Sequence, residues 1–393
     1  MSAIKITEKV FYVGAKHPER RIFDELIALP DGTTYNAYLV KGSEKTALID
    51  TVDPVMKDFL FKYLKRAGAG KIDYIVSNHA EQDHSGCIPF VLQANPGAKV
   101  VTNEKCAAML KDFSMVTDEN LIIIKDGDTL PLGDKTLEFI ITPWVHWPET
   151  MSTYLREDEI LFSCDLFGSH FSPSDIMAGE HFYVPAKRYF AEIMCPFRNN
   201  VRNNIAKLEK YKIKTICPSH GFVHTKPEGI INAYKKWASD DVKNEVILAY
   251  VSMHDSTKKM AEYLRDAIEE KGITVNYFDI PVSDLGEIAM MMVDSATVII
   301  GGSTVLAGLH PAAQNLIYVA NALRPKTKFV SFITSFGWGE KASEVIKANL
   351  GNFKAEVLAP VISKGAPKEA EYRELDRLAN DIEARHRAAG LFA

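Results

Sequence analysis

Paired thiols are missing from this 393-residue sequence. Its five cysteines, Cys87, Cys106, Cys164, Cys195 and Cys217, are odd in number, widely spaced and form no C-x-x-C. This argues against a disulfide framework, a four-thiolate metal site and a c-type haem attachment, and the cytoplasm is the expected compartment. Excess charge of one sign is missing too. Lys+Arg 46 against Asp+Glu 51 leaves a net charge of −5, which argues against a dedicated nucleic-acid binder. No apolar run approaches the roughly 18 residues of a membrane span, so no membrane partner is expected. The opening MSAIKITEKVFYVGAK lacks a signal-peptide core and alternates like a strand. Low-complexity segments and internal repeats are also absent. What remains is an ordinary folding composition, 47% hydrophobic and 25% charged, in a chain too long for one core. Two domains are expected.

The pattern changes near residue 243. Before it, short strands separated by turns are predicted, among them Asp73–Ser77, Thr136–Ile141 and Ile160–Cys164. Helical periodicity appears in Val55–Arg66, Glu104–Phe113, Val201–Lys210 and Glu228–Trp237, so residues 1–243 read as sheets covered by helices. Residues 244–393 begin with VILAY (Val246–Tyr250), a continuous apolar run expected of a parallel strand buried on both faces. Strands at Val275–Phe278, Thr297–Gly301, Lys328–Ile333 and Glu356–Leu358 follow, alternating with helices that include Lys341–Leu350. This is the pattern of a doubly wound α/β domain with a five-stranded parallel sheet.

The first half concentrates metal-ligand chemistry at predicted strand ends. In YIVSNHAEQDHSG, His79, Glu81, Asp83 and His84 follow an apolar strand within six residues and can converge on one or two metal ions. Taken alone, the loop is an even bet against a polar turn. Three more segments add to it: His146 in WVHWPETM, Asp165 directly after ILFSC, and His220 in ICPSHG. Singly, His146 reads as a packing residue and Asp165 as a turn or cap. Four strand-end loops each presenting a ligand type do not read as coincidence.

Together these residues resemble the metallo-β-lactamase superfamily, which implies an αββα sandwich with a binuclear metal site at one edge. By that resemblance His79, Glu81 and His146 hold one metal, Asp83, His84 and His220 the other, and Asp165 bridges them. In similar proteins the histidine at the position of His84 can swing away in favour of water. Hydrolytic members usually carry a histidine where this chain has Glu81; the carboxylate makes the set harder and favours iron over zinc. His170, His181 and His224 are read as surface or pocket-lining residues.

In the second half, Tyr250–Met260 is a hydroxyl-rich loop before a helix, suited to a phosphate and matching neither the Walker nor the G-x-G-x-x-G pattern. Simple helix capping is the bland alternative. The loops GGSTVLAGLHP and TSFGWG fall at the same sheet edge, beside the crevice of a 2-1-3-4-5 sheet. The arrangement resembles flavodoxin, with Ser252, Met253, Ser256 and Thr257 near the phosphate of FMN. The resemblance puts Gly302, Ser303, Thr304, Ser335, Phe336, Gly337, Trp338 and Gly339 beside its ring. Trp338 is the expected aromatic lid; an interface role suits it equally.

A metallo-β-lactamase-like domain carrying Glu81, fused to a flavodoxin-like domain, resembles the flavodiiron proteins. The resemblance runs nearly end to end, through TTYNAYLV, HAEQDHSG, HWPETM, PSHG and FGWG. It implies two iron ions, FMN, and reduction of dioxygen to water, of nitric oxide to nitrous oxide, or both. It further implies a head-to-tail homodimer, or a dimer of dimers, that brings one subunit's FMN beside the other's irons. Tyr189 matches a pocket tyrosine of the family, and Trp144, Trp147 and Phe167 are expected to make the gas pocket apolar. Where many relatives have a histidine in an early loop, this chain has Asp24 and Glu25 after Phe23. With no C-x-x-C there is no fused rubredoxin, so electrons are expected from an external rubredoxin or a reduced deazaflavin. Two other readings compete: a zinc hydrolase with a flavodoxin-like module, and an electron carrier whose first domain is structural. The complete ligand set argues against the second of these.

Overall fold

A computed structural model describes residues 4–177, 180–339, 341–349 and 353–392. The chain divides into two compact units, Met1–Phe190 with Phe197–Ala238, and Ala191–Pro196 with Ser239–Ala393.

The first unit is built on two sheets. One runs in the order Ile4–Lys5, Val10–Tyr12, Tyr38–Lys41, Thr46–Ile49, Tyr74–Val76, Lys99–Asn103, Leu121–Ile124, antiparallel at its start and parallel from Thr46–Ile49 onward. The other runs Thr129–Pro131, Thr136–Ile141, Met151–Leu155, Ile160–Cys164, Thr215–Pro218, with only the last pair parallel. Period-2 alternation decides what each face meets. Tyr38, Val40, Ala47, Ile49 and Val76 point to a core shared with Leu137, Phe139, Met151 and Phe162 of the second sheet. Their neighbours Leu39, Leu48 and Ile75 point the other way, onto Leu60 and Leu64 of helix Lys57–Arg66 and Val91 of helix Ile88–Ala94. Helix Arg198–Leu208 covers the second sheet, where Asn204 donates to the Pro143 carbonyl at 3.0 Å and Lys207 to that of Ile141 at 2.8 Å. Helices thus lie outside both sheets, the expected αββα sandwich.

The second unit has the expected parallel sheet in the order Thr274–Asp279, Lys243–Val251, Ser295–Val305, Phe329–Phe336, then a fifth strand. That fifth strand is in two pieces, Glu356–Val357 and Val361–Lys364, both paired with Phe329–Phe336. The piece before Pro360 was readable in the sequence and the piece after it was not. Proline cannot donate to a ladder, so the strand breaks there and resumes. Ile247, Ala249, Val298 and Phe332 face helices Leu285–Met292, Pro311–Leu323 and Ala342–Asn349. Leu248, Ile299 and Ile333 face helices Ser256–Glu269 and Glu369–Ala388. Leu350, expected to end the helix Lys341–Leu350, lies outside the described residues. Among the described residues no helix is long and apolar enough to cross a membrane.

Candidate metal centre

His79, Asp165 and His220 each follow the last residues of a strand, and the loops that carry them are tied down by hydrogen bonds. Ser77 Oγ donates to the His79 carbonyl at 2.9 Å, and Ser85 Oγ to those of Ala80 and Glu81 at 2.6 and 2.9 Å. Thr51 N–H and Oγ–H hold the His84 carbonyl at 2.7 and 2.5 Å. Across the site, Thr34 and Asn36 of the TTYNAYLV segment grip the His220 loop. Thr34 Oγ1 accepts Gly221 N–H at 2.7 Å, and Asn36 Nδ2 donates to the carbonyls of Pro218 and Gly221 at 2.9 and 3.1 Å. Gly221 is required there. Its φ is +76°, and a Cβ would lie 1.9 Å from Ser169 Oγ.

The loops bring all seven expected ligands together in two groups, His79, Glu81, His146 with Asp165, and Asp83, His84 with His220. In the first, Glu81 Oε2 lies 3.0 Å from His79 Nε2 and 3.2 Å from His146 Nε2. In the second, Asp83 Oδ1 and Oδ2 lie 3.2 Å from His84 Nε2 and His220 Nε2 respectively. Asp165 stands between them. Its Oδ2 is 3.5 Å from His79 Nε2 and 3.7 Å from His146 Nε2, and its Oδ1 is 3.2 Å from His84 Nε2 and 3.5 Å from His220 Nε2.

Apart from the contacts of Glu81 with His79 and His146, these atoms are poorly satisfied by one another. Both carboxylate oxygens of Asp83 and of Asp165, and both ring nitrogens of His84, are buried without a hydrogen-bond partner. Buried lone pairs that converge without a donor between them call for a cation. Edges near 3 Å are what metal bonds of roughly 2.0–2.2 Å require at ordinary angles. The residues therefore fit a pair of metal ions. Electrostatics agree: burial would lower the His79 pKa, but hydrogen bonds to Glu149 and Glu81 raise it well above the usual imidazole value. Burial likewise opposes His84, yet Asp83 and Asp165 raise it to about 9. Burial would raise the carboxyls of Glu81 and Asp165, but the facing imidazoles hold both far below the usual range.

Aromatic rings line this cluster. Trp147 meets the His79 ring edge-on at 4.9 Å. Tyr189, at the end of helix Tyr183–Tyr189, is buried 5.9 Å from His220, and burial pushes its hydroxyl pKa well up. Trp144 instead stacks on Phe197, and Phe167 meets Tyr234 edge-on, so among the described residues neither of those two rings packs on a ligand ring. His181 is exposed and His224 is buried against the Phe167 carbonyl at 3.3 Å. His170 is a wall of the site, its ring 4.9 Å from both His220 and Tyr189 and 4.8 Å from Phe23. Glu149, Thr34 and Asp50 also support the centre; HWPETM and TTYNAYLV contain the first two, but no role for any of the three was readable from the sequence.

In the second unit the expected crevice loops meet beyond the carboxyl ends of Lys243–Val251, Ser295–Val305 and Phe329–Phe336. Thr257 is fully buried, with its hydroxyl 2.8 Å from Ser335 Oγ and 3.2 Å from Ser303 Oγ, linking all three loops. Ser252 Oγ and Thr304 Oγ1 are buried without a partner, which suits a polar ligand in the crevice. Ser256 begins helix Ser256–Glu269; Gly302 is buried, Phe336 half-buried, and Met253, Gly337, Trp338 and Gly339 are exposed.

A family model described as "ODP family beta lactamase" matches residues 33–221. The nitric oxide reductase of Moorella thermoacetica is 34% identical, the match covering 91% of each chain. The rubredoxin-oxygen oxidoreductase of Megalodesulfovibrio gigas is 30% identical over 97% of this chain and 98% of that one. The crystal structure of the flavodiiron protein from Giardia intestinalis superposes with a TM-score of 0.92 at 27% identity, covering 99% of this chain and 97% of that one. The chain belongs to the flavodiiron protein family. The match to flavodiiron proteins over nearly the whole chain favours that family over a hydrolase with an added module.

Proposed function

We propose that this flavodiiron protein is an oxidoreductase that reduces dioxygen to water, nitric oxide to nitrous oxide, or both. Residues 1–243 would carry two iron ions and residues 244–393 FMN. The observation that carries this reading is the gathering of seven candidate ligands, all but His146 buried, with a carboxylate, Glu81, in the first group. Bound iron supplies open coordination positions and one electron per ion, and a flavin passes electrons singly from a two-electron store.

The chain's own residues do the rest. His79, Glu81 and His146 would hold one ion, Asp83, His84 and His220 the other, and Asp165 turns one oxygen to each group. Trp147 beside His79, and Tyr189, His170 and Phe23 beside His220, would border the ligands with mostly aromatic surface and limit water there. Ser252, Met253, Ser256, Thr257, Gly302, Ser303, Thr304 and the Ser335–Gly339 loop would receive FMN, its phosphate at the start of helix Ser256–Glu269. The donor proposed is an external rubredoxin, in keeping with the name of the Megalodesulfovibrio relative, with a reduced deazaflavin as the alternative. A cytoplasmic head-to-tail homodimer, alone or paired with a second, completes the proposal.

The test is metal and flavin analysis of purified protein, followed by stopped-flow oxidation of the reduced protein by each gas. Stoichiometric iron and FMN with rapid consumption of at least one gas is the expected result. Zinc with thioesterase or lactamase turnover, or no consumption of either gas, overturns it.

A further inference from the structure

The two ligand groups are matched in kind. His79, His146 and Glu81 on one side, and His84, His220 and Asp83 on the other, each supply two imidazoles and one carboxylate, and Asp165 serves both. With the ligand types so alike, the groups that stand behind the ligands become a source of inequality between the two sites.

There the halves differ. His79 Nδ1 donates to Glu149 Oε1 at 2.6 Å, and the same oxygen accepts Ala80 N–H at 3.1 Å. Glu149 is fully buried and its Oε2 has no partner. His220 Nδ1 donates to a neutral acceptor, the Thr34 carbonyl, also at 2.6 Å. His84 Nδ1 has no partner, and His146 is partly exposed. Asp50, the other carboxylate buried nearby, is held by Asn78 and bonds no imidazole.

We propose that Glu149 is a positioning residue that makes the two iron sites unequal. Its charge, transmitted through the His79 ring, strengthens the grip on the ion held by His79, Glu81 and His146 and lowers that ion's reduction potential. Electrons therefore enter the pair first on the Asp83, His84 and His220 side. The inference rests on the diiron reading above. The physical cause is that a carboxylate accepting Nδ1–H makes the imidazole a stronger donor at Nε2, which stabilises ferric over ferrous iron. Each reduction is a one-electron step from ferric to ferrous with the electron supplied by the flavin, and no bond or proton at Glu149 changes.

Glu149→Gln keeps an acceptor oxygen of the same shape and removes the charge; Glu149→Ala removes both. Metal-free protein is titrated anaerobically with ferrous iron in a calorimeter. Glu149→Gln is expected to weaken one binding step about 10-fold and Glu149→Ala up to about 100-fold, with the other step unmoved. In iron-loaded protein, the half-reduced pair is followed by electron paramagnetic resonance during a potentiometric titration. Its potential range should narrow in Glu149→Gln, because only the lower potential rises. Equal weakening of both steps, no weakening, or a range that stays the same or widens overturns the inference. Wild-type protein that takes up no iron is a different result, since it removes the diiron reading itself.

Discussion

Asn78 directs both its backbone N–H and its side-chain amide at the carboxylate of Asp50, each at 2.8 Å, while its Oδ1 accepts the Thr153 hydroxyl at 2.7 Å. Asp50 directly follows strand Thr46–Ile49 of one sheet, and Thr153 lies in Met151–Leu155 of the other. The residue before His79 therefore fastens the metal loop to both sheets at once. Burial pushes the Asp50 carboxyl up to about 6 even with these bonds in place.

Asn78→Ala takes the amide donor from one oxygen of that buried carboxylate and leaves it only the backbone N–H of residue 78. A loss of about 1–3 kcal/mol is expected in urea unfolding of the metal-free protein, with poor iron uptake by the folded fraction. Asp50→Asn removes the charge along with the pairing and should cost less. The reverse order in the two unfolding curves would contradict this account.

Asp165 presents one oxygen to each ligand group, whereas Asp83 belongs to one. Asp165→Asn should weaken uptake at both sites, and Asp83→Asn at one. Iron or cobalt titration of the two variants separates the cases by the number of binding steps affected.

Thr257 joins the three crevice loops through Ser303 and Ser335. Thr257→Val removes both bonds at about 1 kcal/mol each and leaves buried hydroxyls behind. FMN binding, read by quenching of flavin fluorescence, should weaken by about 10-fold or more. Ser252→Ala, which removes a hydroxyl with no protein partner, should weaken FMN binding without lowering the stability of the flavin-free protein.

His386 is buried in helix Glu369–Ala388, with Nε2 2.7 Å from Thr297 Oγ1 and Nδ1 2.7 Å from Asn244 Oδ1. Burial lowers its pKa from 6.5 to about 4. The unfolded chain therefore takes up the proton first as pH falls. The stability this neutral histidine contributes is complete above pH 6.5 and is lost as pH drops through about 4. Amide exchange in helix Glu369–Ala388 should accelerate over that window. His386→Gln should flatten the pH dependence while costing about 1–3 kcal/mol at neutral pH.

The ligand types were legible because each lies within a few residues of an apolar strand, and strand ends are where side chains can be aimed. Buried parallel strands such as Val246–Tyr250 were legible for a similar reason: a local run reports its own burial. Less legible were elements whose existence depends on partners. Strand Val361–Lys364 exists because Phe329–Phe336 offers it a ladder, and the short helix Gln82–Ser85 forms inside a loop already held by Ser77, Ser85 and Thr51. His170 had no local mark of its place beside His220, since Phe23 and Tyr189 come to it from distant segments.

The absence of C-x-x-C, the balanced charge and the order of His79, Glu81, Asp83, His84, His146, Asp165 and His220 are properties of the sequence by itself. They determined the chemistry available: no C-x-x-C thiolate pair, and a hard oxygen-and-imidazole set gathered at strand ends. Only the tertiary structure decided what stands behind each ligand. Glu149 reaches His79 across 70 residues of chain, and the Thr34 carbonyl reaches His220 across 186. A hydrogen bond between such distant groups depends on how two sheets pack, and a backbone carbonyl has no letter of its own in a sequence.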